Sequence, residues 1–169
     1  MFATRFLLQK PMFVVAVIIG ALVFSGVAVA HENHASGYTA LGIFDDEARA
    51  AMPVWVGVWL QIMAVSFVSG VLFIFSQPIA RWVVGGVLLG LLATRFGLNA
   101  FGLERVSGLI GLLHLVFWSP GLYMLLRYKP FLGALSLFSV WSGWITFVIL
   151  FSFFFDARDA AVYLLHLLP

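Results

Sequence analysis

Arg95, Asn99, Glu104, Arg105 and His114 stand close together between and within two apolar runs, and they are the side chains in this chain best suited to do chemistry. Guanidinium, carboxylate and imidazole groups in or beside a membrane can relay a proton, hold an anion or anchor a polar headgroup. Positions 95, 99 and 102 share one helical face at i, i+4 and i+7, while Gly86, Gly90 and Gly97 point roughly the other way. An arginine near the centre of a bilayer costs about 2.5–3.5 kcal/mol unless it snorkels or meets a cavity. From Arg95 to the expected helix end at Gly102 is about 10 Å at 1.5 Å per residue, so snorkelling alone would relieve only part of that cost. His114 shares a face with Ser107, Gly111 and Trp118, so it is expected against a neighbouring helix. A purely structural network is the competing expectation: Glu104 neutralises Arg95 or Arg105, and His114 donates one helix-to-helix hydrogen bond.

A second constellation is His31-Glu32-Asn33-His34. Two histidines at i and i+3 can face one metal ion on a helix, with Glu32 or the distant His166 as a further ligand, and copper or zinc would suit such donors. A solvated histidine pair is the simpler alternative, because the helical His-Glu-x-x-His pattern of zinc proteases is absent. A haem would need axial histidines inside the spans, where only His114 lies, so a partner would have to supply the second ligand. Quinone or another lipid-soluble cofactor against the aromatic spans also stays open. No serine sits in a Gly-x-Ser-x-Gly pattern, and Asp45-Asp46-Glu47 fits helix-start charge better than a calcium loop. With no cysteine, disulfide, thiolate and iron–sulfur chemistry are excluded.

The elements that must position these residues are membrane helices. The chain of 169 residues is 63% hydrophobic and 9% charged, with mean hydropathy +1.11, whereas ordinary soluble domains carry about 25% charged residues. The expected fold is all-α: one integral membrane helical bundle of about five transmembrane helices joined by short loops. The apolar runs place the spans at about 11–30, 53–77, 82–102, 106–126 and 131–155, with an outer loop at 31–51 and a C-terminal interfacial segment at 156–169. The first run follows Arg5 and Lys10 and ends in Ala28-Val29-Ala30, as a secretory signal would, but it is longer than a usual signal core. Its cleavage would leave four spans in the same orientation. The third run contains Arg95 and Asn99, so full crossing and a re-entrant path are both open.

On this map Arg5, Lys10, Arg81, Arg127 and Lys129 lie on one side, and Arg49, Arg95, Arg105, Arg158 and all seven acids on the other. Basic residues are retained in cytoplasmic loops, which predicts an inner or plasma membrane protein with a cytoplasmic N-terminus and an outer C-terminus. The basic residues form no stripe, so nucleic-acid binding is not indicated. Small residues at helical spacing mark the faces expected to touch protein: Ser66 and Gly70, Gly86, Gly90 and Gly97, Ser107 and Gly111, and Gly133, Ser136, Val140 and Gly143.

Three function classes follow, in this order. The first is a non-catalytic subunit or accessory of a larger membrane complex, in contact with the lipid bilayer and with other membrane subunits or copies of itself. The second is a proton or small-solute transporter or channel using the polar hairpin. The third is a metal- or lipid-cofactor-binding component of a membrane oxidoreductase.

Overall fold

The computed structural model describes residues 40–50 and 52–168. The expected first span at 11–30, its possible cleavage site and His31, Glu32 and His34 lie outside the described residues. Within them the chain is an all-α membrane bundle. A short helix α1, Asp46–Ala50, precedes four long elements: α2, Val54–Ser69; α3, Pro78–Leu92; α4, Ser107–Tyr128; and α5, Leu137–His166. With their helical extensions they run Val54–Phe73, Pro78–Ala100, Ser107–Leu132 and Leu137–His166, that is 20, 23, 26 and 30 residues. Each is long enough to cross a hydrocarbon layer of about 30 Å at 1.5 Å per residue.

Local chemistry explains where these helices begin and end. Pro53 precedes α2 and Pro78 opens α3, positions where a missing N–H leaves no helical bond unmade. The third run stays helical through Arg95 and Asn99 to Ala100, with one wide π-helical turn at Ala93–Gly97, so it has the length of a full span. Gly102 ends it at φ 64°, a left-handed turn in which the Leu103 N–H donates to the Leu98 carbonyl at 2.8 Å. No side chain caps α4. Instead, the segment at 40–44 runs along its start: the Gly108 N–H donates to the Ala40 carbonyl (2.7 Å) and the Ser107 N–H to that of Gly42 (3.0 Å), which satisfies two of the free N–H groups of the first turn.

The fifth helix begins at Leu137 and not at 131, because Pro130–Leu132 forms a separate tight turn. Ser136 then caps α5 reciprocally with Ser139 (3.1 and 2.9 Å). From there α5 runs unbroken to His166, absorbing most of the segment expected to lie apart at 156–169. The sequence from Trp144 to Leu168 contains neither glycine nor proline to stop it.

Neighbouring helices run antiparallel, and glycines set their separation. A Cβ on Gly86 would overlap the Phe117 carbonyl oxygen, and one on Gly121 would lie 2.9 Å from the Val83 Cα. On the other side of α4, a Cβ on Gly108 would come within 2.6 Å of the Asp159 carbonyl oxygen, and one on Gly111 within 3.0 Å of that of Asp156. Gly97, expected to continue the Gly86 and Gly90 face, meets nothing beyond Ala93 of its own turn. The π-helical turn shifts the phase of the helix between Gly90 and Gly97. Phe67, Val83, Trp118, Leu122, Leu125, Trp141, Ile145, Val148 and Ile149 fill the core around α4 and α5.

Helix α2 is tied to α5 by a satisfied polar junction. The buried Ser66 accepts from Trp144 Nε1 through its hydroxyl (2.7 Å) and from Trp141 Nε1 through its carbonyl (3.1 Å), while its own hydroxyl donates to the Ile62 carbonyl (2.6 Å).

These contacts predict opposite outcomes for two adjacent glycines. Gly86→Ala should lose about 1–3 kcal/mol through overpacking against Phe117. Gly85→Ala, with open space where the methyl would sit, should be neutral or gain up to about 1 kcal/mol from helix propensity. Unfolding of the two variants in mixed micelles checks the pair; equal stability would mean that α3 and α4 are not in backbone contact.

Candidate functional site

The structure places the expected hairpin residues at the end of the third span without joining them into one site. Arg95 lies on the π-helical turn with its side chain exposed, and Asn99, also exposed, donates from Nδ2 to the Arg95 carbonyl at 3.1 Å. Glu104 is exposed in the loop that follows, and Arg105 is half-buried. Among the described residues Glu104 forms an ion pair with neither arginine, so the expected neutralising network is not the arrangement found. The helix geometry accounts for this: with the π-helical turn, Arg95 points outward about a turn and a half from the helix end, within snorkelling reach of the interface.

His114 is inside. It lies seven residues into α4, about 10 Å from its start, and its ring stacks on Trp118 with centroids 4.1 Å apart and planes at 19°. Trp118 is buried and also packs on Phe67 of α2 and Phe153 of α5, with centroids at 4.8 and 6.4 Å. The imidazole therefore rests on an aromatic column at the centre of the bundle. Its Nδ1 lies 3.3 Å from both Oδ1 and Oδ2 of Asp156 on α5. The two side chains keep 23% and 18% of their surface, enough for contact with water or a small solute but too little for free rotation.

Gly111 makes this pair possible. Lying one turn before His114, it lets the α5 backbone approach at Asp156. Gly108 does the same one turn further at Asp159, a buried carboxylate next to Arg158, whose Nη1 is 3.5 Å from Asp159 Oδ1. With the proton on Nδ1, His114 donates to the carboxylate and presents Nε2 as the free acceptor of a neutral ring. Such a pair can orient an imidazole, hold a proton between helices, or pin two helices together.

Asp156 was not legible as a site residue from its place just beyond the apolar run ending at Phe155. A signal was present: Ser142, Ile145, Ile149, Ser152, Asp156 and Asp159 repeat at three- and four-residue intervals and share one helical face. His166 lies exposed in the last turn of α5. Among the described residues no cluster of three or more metal-ligating side chains forms.

Fold and geometry together define a multi-pass helical membrane protein with an ionisable pair between two central helices. Comparison with protein families, with curated proteins and with solved structures finds no match for this chain.

A double-mutant cycle on His114→Leu and Asp156→Leu measures the coupling across α4 and α5. The expected coupling is about 0.6–2 kcal/mol, the range for interhelical hydrogen bonds in membranes. Strict additivity of the two changes in unfolding free energy would show that the pair is not formed.

Proposed function

We propose that this protein is a subunit or accessory component of a larger membrane complex, joined to its partner through α2. The observation that supports this reading is Gln61. It lies seven residues into the second span, about 10 Å deep, with its side chain exposed and, among the described residues, no hydrogen bond. Lipid hydrocarbon offers an amide no donor or acceptor, and an unmet polar group there costs about 1–3 kcal/mol even on protein-based scales. At 100° per residue, Val54, Gly57, Val65 and Val68 lie within about 40° of Gln61. They form a continuous outward stripe with a notch at Gly57, where no atom lies within 4 Å of a Cβ position. The stripe suits a transmembrane helix carrying its own donor–acceptor side chain at the same depth. Among the described residues the span of α2 is also the least covered of the four, 17% buried against 22%, 28% and 44% for the others.

The orientation belongs to this reading. Arg81, Arg127 and Lys129 lie at the end of the bundle opposite Asp45, Glu104 and Asp159, and retention of basic loops puts that end in the cytoplasm.

A second reading, proton or small-solute transfer, is favoured by the His114–Asp156 pair, since ionisable groups inside membrane bundles commonly mark conduction paths. In this version the path runs between α4 and α5 from the acidic end, with His114 and Asp156 as its relay.

Gentle extraction from the native membrane followed by intact-complex mass spectrometry separates the two. A stoichiometric membrane partner is expected, with Gln61→Leu weakening its retention roughly tenfold, the equivalent of one or two interhelical hydrogen bonds. A stable monomer without a partner would overturn the subunit reading. Proton flux in reconstituted vesicles that His114→Ala abolishes and Gln61→Leu leaves intact would establish the second.

A further inference from the structure

A groove of about 500 Å³ opens to the membrane between α3 and α4. Gly85 and Gly86 form part of its lining, Leu89, Val116 and Phe117 line its apolar length, and Pro78, Arg81 and Trp82 stand at one end. Gly85 leaves it open: no atom lies within 4 Å of the position a Cβ would take. From Pro78 to Leu89 the groove follows the helix for about 16 Å at 1.5 Å per residue. That is roughly half the ~30 Å hydrocarbon thickness, the depth reached by an acyl chain of a single leaflet.

The chemistry at its mouth is cationic and prearranged. Arg81 Nε–H donates to the Ile74 carbonyl at 2.7 Å and its Nη2 to the Phe75 carbonyl at 3.2 Å. These bonds hold the guanidinium plane at the α2–α3 turn and leave the Nη1 N–H groups uncommitted. Arg127 and Lys129, both exposed, lie at the same end because α4 runs antiparallel to α3. The sequence carries no acid between Arg49 and Glu104 or between Arg105 and Asp156, so nothing at this end competes for the positive charge. Trp82, 54% exposed, is the kind of aromatic side chain that settles at headgroup level.

We propose that the α3–α4 groove is a binding site for one anionic phospholipid, its phosphate on Arg81 and one acyl chain laid over Gly85 and Gly86. Apolar length and charge act together here. A neutral lipid fills the groove equally well but gains less at the mouth, and a free phosphate gains the charge but none of the apolar contact. The site is independent of the partner surface on α2 and of the His114–Asp156 pair.

Titration of the delipidated full-length protein in detergent, read by native mass spectrometry, tests this. Dioleoyl-phosphatidylglycerol should be retained as a single bound molecule in preference to dioleoyl-phosphatidylcholine. Arg81→Gln should weaken phosphatidylglycerol about fivefold, the usual effect of one basic side chain at a charged membrane surface, and leave phosphatidylcholine unchanged. Gly85→Leu fills open space and should abolish retention of both lipids at this stoichiometry, while thermal unfolding without lipid stays as in the parent protein. Inorganic phosphate alone should neither bind nor displace the lipid. Equal retention of the two lipids, wild-type phosphatidylglycerol binding by Gly85→Leu, or displacement by phosphate would each overturn the proposal.

Discussion

Backbone-to-backbone approach at glycine is the interaction on which the rest of this structure depends. Apolar side chains gain little by leaving lipid for a protein interior, so close van der Waals contact must hold the helices together. Helix α4 is the hub of that contact. Gly108 and Gly111 admit α5 on one side, while Gly121 of α4 and Gly86 of α3 bring those two helices together on the other. The aromatic column through Trp118 fills the space left where three helices meet, touching Phe67 and Phe153 and carrying His114 on its face. The His114–Asp156 pair is a by-product of the same geometry: without the approach at Gly111, the carboxylate would stand farther from the imidazole.

Apart from Trp55 Nε1, buried without a partner among the described residues, polar groups in the bundle fall into two kinds. Most are closed on themselves. Ser142 and Thr146 donate to carbonyls of their own helix, and Ser66 meets both Trp141 and Trp144, so α2 is joined to α5 with no loose donor or acceptor at that junction. Others face outward. Gln61 presents a whole amide at mid-span, and Arg81 has N–H groups to spare at the head of an apolar groove. An outward polar group in a membrane helix is poorly served by hydrocarbon, and the occupants we propose for the two positions differ: a matching donor–acceptor for Gln61, an anion with an apolar tail for Arg81.

The helical class and four of the spans were legible because long apolar runs have few alternatives in a chain this poor in charge. The packing role of Ser66, Gly70, Gly86, Gly90 and Gly111 was legible from spacing, since a straight helix preserves phase over one or two turns. Gly97 shows where that reasoning stops: an intervening π-helical turn changes the phase, and residues in register on paper separate in space. The polar hairpin shows a second limit. Arg95 and Glu104 are close in sequence, but the helix end and the Gly102 turn send them apart, while His114 finds its carboxylate 42 residues away in the chain. Asp156 falls in the expected interfacial segment because it follows the last apolar run, yet a glycine- and proline-free sequence carries α5 past it.

Sequence alone thus determined that this chain forms membrane helices, where most of them lie, and which end of the bundle is acidic, because hydropathy and charge act locally and survive any packing. Tertiary structure alone decided which ionisable groups meet. That choice rests on glycine notches on two helices falling opposite each other at a particular depth, a relation between distant segments that no local pattern contains. Among the described residues it also leaves Gln61 and Arg81 exposed, since exposure is set by what the other helices cover.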